Sequence, residues 1–240
     1  MGYRIFLAGA TGVIGRRVAA LLRDAGHRVT GTTRAESKAG ALRALGIEPV
    51  IVDVFDADAL ARAVAAAKPE IVIHQLTDLP RGLDPAKMDD AIRRNARLRS
   101  EGTRHLVDAA IAAGARRLIA QSIAWAYAPG REPHAEIDPL DLDAQGLRAI
   151  SVGGIVALER TVLGALLEGV VLRYGQLYGP DTGTDTPAGS VPLHVDDAAR
   201  AAFLAIERGA PGVYNIADPG GAVRLDKARD AGLVPGSSPS

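Results

Sequence analysis

Short runs of apolar and β-branched residues alternate along most of the chain with Ala- and Leu-rich segments whose apolar positions recur at helical spacing. The runs predict strands over residues 3–7, 28–32, 48–52, 70–75, 116–121 and 170–173. The intervening segments predict helices over residues 13–24, 37–45, 56–67, 87–113 and 152–168. Glycine is expected to end four of these helices, at Gly26, Gly46, Gly114 and Gly169. This alternation predicts an α/β fold with a doubly wound parallel sheet.

The pattern changes after residue 173. A loop rich in Gly, Pro, Asp and Thr is followed by a predicted strand over residues 191–195, a helix over 197–207 and a strand over 213–216. We interpret residues 1–240 as one domain in which residues 175–240 form a small substrate lobe, and the composition of residues 236–240 predicts a flexible tail.

Composition narrows the classes of function. Lys plus Arg and Asp plus Glu both number 28, so no net charge attracts the chain to nucleic acid or to an anionic membrane. The absence of cysteine excludes disulfides, thiol nucleophiles and cysteine-ligated metals, and we expect no metal site. The N-terminus lacks the pattern of a signal peptide, so we expect a cytoplasmic protein that acts on a small molecule.

The strongest chemical motif is Gly-Ala-Thr-Gly-Val-Ile-Gly at residues 9–15, between the first predicted strand and the first helix. Gly9 permits a tight turn, Gly12 lets the backbone approach a pyrophosphate, and Gly15 lets the helix pack against the strand. Thr11, Val13 and Ile14 complete this turn. The motif predicts a nicotinamide dinucleotide site, and the alternative is an ordinary glycine-rich turn.

The end of the second strand bears on which nicotinamide cofactor binds. Thr33 and Arg34 stand where an acidic residue would bond the ribose of NAD, and a guanidinium suits the 2′-phosphate of NADP. We therefore expect NADP, while Glu36 as a ribose ligand would favour NAD. Asp53 is expected either to bond the adenine or to cap the following helix.

Taken together, several motifs resemble those of the extended and atypical short-chain dehydrogenase/reductases, the group that contains the NAD-dependent epimerase/dehydratases. They lie at residues 9–15, 72–75, 95, 101–103, 121–122, 172–180, 194–197 and 212–216. The resemblance implies a Rossmann-like fold, and it implies a homodimer through the helices over residues 87–113 and 152–168. It also implies cofactor contacts at Val54, Leu76 and Asn95, and substrate-pocket positions at Tyr174, Gln176 and Tyr178.

The chain departs from this family at its catalytic helix. The family uses a Ser or Thr, a Tyr and a Lys four residues after the Tyr, and only Ser122 matches. Val152 and Val156 occupy the Tyr and Lys positions. Tyr127 is therefore a second candidate catalytic residue, although it could equally pack beneath the following loop.

Other polar residues receive structural interpretations. We expect His74 to be a core histidine and residues 131–147 to form a solvated lid. We expect His194 and the two aspartates at 196 and 197 to end a strand and cap a helix.

Two functions remain open. One is an NADP(H)-dependent oxidoreductase or epimerase-like enzyme acting on a small carbonyl or hydroxyl compound by a non-standard mechanism, and the other is a non-catalytic dinucleotide-binding or sensor protein.

Overall fold

A seven-stranded parallel sheet lies between two layers of helices in a computed structural model that describes residues 2–80 and 84–233. The strands are β1 (Arg4–Ala8), β2 (Arg28–Thr33), β3 (Glu48–Ile51), β4 (Ile71–His74), β5 (Arg117–Ile123), β6 (Glu168–Tyr174), β7 (Gln176–Tyr178), β8 (Pro192–His194) and β9 (Gly212–Ile216). The large sheet has the order β3-β2-β1-β4-β5-β6-β9, and β7 pairs with β8 in a separate parallel pair. The predicted doubly wound sheet is confirmed.

The helices are α1 (Val13–Asp24), α2 (Glu36–Ala44), α3 (Ala57–Ala67), α4 (Met88–Arg97), α5 (Thr103–Ala112), α6 (Gly146–Leu163), α7 (Val195–Leu204) and α8 (Asp226–Asp230). Alternate residues of each buried strand face opposite layers. On β1, Ile5 and Leu7 belong to the core that includes residues of α1 and α7, whereas Phe6 and Ala8 belong to the core that includes residues of α3, α5 and α6.

The predicted helix over residues 152–168 is misplaced at both ends. Helix α6 begins at Gly146 and ends at Leu163, and Gly169 lies inside β6 rather than at a helix end. A Cβ atom on Gly169 would lie 2.3 Å from the carbonyl oxygen of Val162, so glycine is needed here for close packing of strand against helix. The glycines at 26, 46 and 114 follow helices with positive φ angles, as predicted.

The predicted helix over residues 87–113 is interrupted. A π-helical segment, Leu98–Gly102, separates α4 from α5. In the C-terminal part, β7 and α8 were not predicted. Arg17 of α1 donates hydrogen bonds to the Asp196 carboxylate and the Pro180 carbonyl, and so ties this part to the first helix. The predicted tail at residues 236–240 lies outside the described residues.

Among the described residues, no helix is both long and apolar enough to cross a membrane.

Candidate functional site

The candidate site lies where β1 and β4 are neighbours at the centre of the sheet. The chain leaves β1 toward β2 on one side and later returns to β4 on the other, which opens a crevice at the carboxyl ends of the two strands. Gly9 follows β1 at this edge, and Gln75 and Leu76 follow β4.

The glycine turn has the geometry that its sequence predicts. Gly9 has a φ angle of 89°, and its N–H donates to Thr32 Oγ1 at 2.9 Å. A Cβ atom on Gly15 would lie 2.0 Å from the Gly9 carbonyl oxygen, so Gly15 allows α1 to pack against the turn. A Cβ atom on Gly12 would meet only that same oxygen, at 3.3 Å. The positive φ angle explains the glycine at position 9, and close packing explains the glycine at position 15. Neither reason applies to Gly12.

The residues of the turn fit a dinucleotide diphosphate. Gly12 is the N-cap of α1 in an extended conformation, no side chain caps the helix, and its first turn holds no acidic residue. The N–H groups of a first helical turn have no partner within the helix and attract anions. Thr11 and Val13 are partly exposed at this turn, whereas Ile14 is buried in the core.

Three charged side chains meet beside the turn, beyond the end of β2. The Asp78 carboxylate lies 3.5 Å from an Arg34 nitrogen and 3.3 Å from Arg94 Nε. The Asp78 N–H donates to Asn95 Oδ1 at 3.1 Å, so the predicted cofactor residue Asn95 positions the segment after β4. The two guanidiniums share one carboxylate and are each more than half exposed, which leaves them able to bind a further anion.

The remaining predicted cofactor residues occupy supporting positions. Thr33 is buried, and its hydroxyl exchanges hydrogen bonds with the backbone of Ala35. Asp53 accepts from the Phe55 N–H, while Asp56 is the residue that caps α3. Val54 is buried, and the partly buried Leu76 donates its N–H to His74 Nδ1.

A buried polar network contains both candidate catalytic residues. Ser122 donates to Glu159 Oε1 at 2.7 Å, and Glu159 also accepts from Arg173 Nε at 2.9 Å and Nη2 at 2.6 Å. Arg173 Nη1 donates to the Tyr127 hydroxyl at 2.8 Å, and that hydroxyl donates to Asn215 Oδ1 at 2.7 Å. The hydroxyl hydrogens of Ser122 and Tyr127 are thus both engaged within the protein.

Burial makes the Tyr127 phenol a weaker acid despite this network. Burial raises the pKa of Tyr127, and the charge and hydrogen bond of Arg173 only partly oppose that effect. Burial alone would lower the pKa of Arg173, but the hydrogen bonds and charge of Glu159 outweigh it and raise the pKa overall. A phenol that transfers a proton near neutral pH needs the opposite change, a lowered pKa.

The helix positions that carry catalytic side chains in the resembled family are apolar here. Val152 is 2% exposed and packs with Ile123, Ala126 and Ile155, and Val156 lies partly buried against the same cluster. We call these five residues the apolar wall. It offers neither a proton nor a charge.

His74 is a satisfied core histidine, as predicted. Its Nδ1 accepts from the Leu76 N–H, so the ring proton lies on Nε2 and is donated to Thr103 Oγ1 at 2.9 Å. Burial, followed by the charge of Arg99, lowers the pKa of His74 to about 4. The ring is therefore neutral at physiological pH.

The three predicted pocket residues differ in access. Tyr174 is only 3% exposed, so the expected wall of an open pocket is instead part of the core, with its hydroxyl accepting from Gln75 Nε2 at 3.4 Å. Gln176 accepts from the Val191 N–H through Oε1. Tyr178 is partly exposed and packs edge-on against His194, with 5.2 Å between ring centroids.

Two other predictions concern histidines of the C-terminal half. His194 ends β8 and caps α7 by accepting from the Asp196 N–H, as expected. His134, in the predicted lid, is not free in solvent, because it stacks on Tyr127 at 4.9 Å and its backbone exchanges hydrogen bonds with Ala222 and Arg224.

The sequence analysis missed the residues that hold this site together. They are Thr32, Asp78, Glu159, Arg173 and Asn215. The available signal was a charged side chain on an otherwise apolar element. Arg173 follows a run of buried apolar residues in β6, and Glu159 follows Val152 and Ile155 on one face of α6.

Two comparisons at the level of sequence each match more than half of the chain. The profile of the NAD(P)H-binding family matches residues 9–150. A protein from Streptomyces sp, 3-diazoavenalumate denitrifying reductase, is 44% identical over 236 residues, and the match covers 90% of this chain and 76% of the relative.

Solved structures show the same fold. The UDP-glucose 4-epimerase of Thermotoga maritima, solved with UDP-glucose, has a TM-score of 0.77 at 20% identity and is matched over 98% of this chain and 94% of its own. The Bordetella bronchiseptica enzyme WbmG, solved with NAD, has a TM-score of 0.73 at 20% identity, over 99% and 90% of the two chains. These structures confirm the Rossmann-like fold that the resemblance implied.

Proposed function

Because the chain belongs to the NAD(P)H-binding family, we propose that it is an NADP(H)-dependent reductase whose substrate accepts hydride without a proton from the enzyme. The apolar wall carries this proposal. Hydride addition to a carbonyl creates an alkoxide that needs a proton donor, and Val152 and Val156 stand where that donor and its activator are expected. A reductase with such a site suits a substrate on which no alkoxide forms.

The substrate class that we propose is the arenediazonium cation. The Streptomyces relative is named as a denitrifying reductase of a diazo compound, which supports this choice. When bound, the reduced nicotinamide supplies a hydride ion, and an arenediazonium cation plus hydride gives the arene and dinitrogen. That balance consumes no proton, so the missing Tyr and Lys are not required.

The residues of the glycine turn would hold the cofactor diphosphate at the N-terminus of α1, for the geometric reasons given above. Arg34 would bind the 2′-phosphate of NADP, and Arg94 would supply a second guanidinium beside it. The apolar wall would exclude water from the place where hydride is transferred.

A carbonyl substrate is the second candidate, favoured by Ser122 at the end of β5. In that case Ser122 would have to release Glu159 before it could donate to a substrate oxygen, and Tyr127 would have to release Asn215. Gln176 and the partly exposed Tyr178 would border the substrate.

The test begins with isothermal titration of NADPH, NADP⁺, NADH and NAD⁺, for which we expect tighter binding of the two phosphorylated forms. NADPH oxidation is then followed at 340 nm with matched arenediazonium and aromatic aldehyde substrates, and Gly12→Val serves as the control for non-enzymatic reduction. We expect turnover of the diazonium salt only. Turnover of the aldehyde alone would favour carbonyl reduction, and tight binding without any turnover would favour a non-catalytic dinucleotide-binding protein.

A further inference from the structure

Arg99 is a buried guanidinium without a hydrogen bond to any described residue. It is 8% exposed and lies in the π-helical segment between α4 and α5. Buried charged groups are normally paired, because an unpaired one loses its hydration without compensation. The other buried arginines of the described chain, Arg117 and Arg173, both donate several hydrogen bonds.

The surroundings of Arg99 hold one positive charge too many. Of the charged groups near it, Glu159 is the acid that acts on Arg99, and Glu159 is already bonded by both Arg173 and Ser122. His74 is neutral. Two guanidiniums therefore share one carboxylate. The residues outside the described ranges carry no acidic side chain that could supply the balance.

The position of this charge connects it to the candidate site. Arg99 lies four residues after Asn95, which bonds the segment following β4, and four before Thr103, which bonds His74. π-helical turns within α-helices are frequent at functional sites, since they redirect single side chains. Glu159, which interacts with Arg99, lies on the same face of α6 as Val152 of the apolar wall.

We propose that Arg99 binds the carboxylate of an aromatic substrate whose ring lies against Val156, the partly exposed residue of the apolar wall. The anion supplies the negative charge that the buried cluster lacks, and Val156 offers the ring an apolar contact. This inference rests on the proposed reductase function in one respect: the anion bound by Arg99 is taken to be part of the substrate. Burial lowers the pKa of Arg99 to about 10, so the guanidinium is still charged at neutral pH.

The experiment measures binding and needs no turnover. Benzoate and cinnamate are titrated calorimetrically into the protein saturated with NADP⁺, and benzamide and cinnamamide serve as uncharged analogues of the same shape. In the wild type, we expect at least one carboxylate to bind about 10- to 100-fold more tightly than its amide, as for a charge-assisted hydrogen bond. Equal binding of each acid and its amide would overturn the proposal without recourse to any variant.

Arg99→Met removes the charge and keeps most of the length of the side chain. We expect the variant to bind the carboxylate as weakly as the amide and to keep its NADP⁺ affinity. It should melt no lower than the wild type, because the removed guanidinium donates no hydrogen bond to a described residue and shares its acidic neighbour Glu159 with Arg173. Arg104→Met, which changes an exposed arginine of α5, is the matched control. It should leave the affinities for the carboxylate and for NADP⁺ unchanged. Arg173→Met removes a fully bonded guanidinium and should melt far lower.

Three results would contradict the assignment. A preserved preference for the carboxylate in Arg99→Met would remove Arg99 from recognition. A matching loss of NADP⁺ affinity would assign the charge to a cofactor phosphate. A fall in melting temperature as large as that of Arg173→Met would make Arg99 a structural partner of Glu159. A wild type that binds carboxylates through Arg99 but never oxidises NADPH would leave this site intact and overturn only the reductase function.

Discussion

Substitutions at Gly12 and Gly15 should separate cofactor binding from folding. Gly12 has φ −74° and ψ 173°, a conformation open to any L-residue, and an added Cβ meets only the Gly9 oxygen at 3.3 Å. Gly12→Ala should therefore change the free energy of unfolding by less than about 1 kcal/mol, because a Gly-to-Ala gain of about 0.4–1 kcal/mol offsets the weaker helix cap.

The same methyl group should strongly reduce NADPH affinity. It would lie where the diphosphate approaches the N–H groups at the start of α1. Each charge-assisted hydrogen bond lost costs about 1.5–3 kcal/mol, so the dissociation constant should rise about 10- to 100-fold. The larger Gly12→Val should abolish binding of NADPH and NADH alike.

Gly15→Ala is the matched control, since its Cβ would overlap the Gly9 oxygen at 2.0 Å. We expect a loss of about 1–3 kcal/mol in the free energy of unfolding, from strain between helix and turn. Urea denaturation measures stability, and isothermal titration of the folded variants measures affinity. Unchanged NADPH affinity in Gly12→Ala would refute the reasoning and leave the turn with only a structural role.

Four further outcomes are expected. Arg34→Glu should weaken NADPH binding more than 10-fold and NADH binding little, because only NADPH carries the 2′-phosphate, and calorimetry showing equal losses would contradict the cofactor assignment. Ser122→Ala and Tyr127→Phe should leave diazonium reduction unchanged while costing about 10²-fold in any carbonyl reduction, and equal losses in both assays would count against a reaction without proton transfer. The pKa of His74, lowered by burial and by Arg99 to about 4, lies below that of the unfolded chain, so stability should fall as the pH drops from about 6.5 to 4, by about 3 kcal/mol in total. Urea titrations should show that His74→Gln loses this pH dependence, and an unaltered dependence would exclude His74 as its source. Light scattering at micromolar concentration should show a homodimer formed through α4 and α6, and a monomer would disprove it.

The sheet could be predicted from the sequence because each buried strand is a short apolar run bounded by turn residues. Helix ends were harder where apolar residues continued past them. The Ala-Leu-Leu run after Gly164 extended the helix predicted over residues 152–168, although the chain turns there and enters β6 at Glu168. The π-helical interruption at Leu98–Gly102 leaves the apolar pattern nearly continuous and so gave no sequence signal.

The candidate site was predictable only where its chemistry is local. The glycine turn lies within seven consecutive residues, and the loss of the catalytic pair is visible in one helix. The partners of Glu159 come from positions 14 and 37 residues away in the chain, on β6 and β5. Pairing over such separations depends on the register of the strands, which no local pattern reveals.

The central claim is that this chain delivers hydride to a substrate that needs no proton from the enzyme. It is tested most directly by isotope tracing with NADPH deuterated separately at each of the two C4 positions, with an arenediazonium substrate in ordinary water and mass spectrometry of the arene. We predict that one of the two cofactors transfers one deuterium to the arene, and that unlabelled NADPH in D₂O transfers none. An arene that takes its hydrogen from water, or that stays unlabelled with both cofactors, would contradict the account.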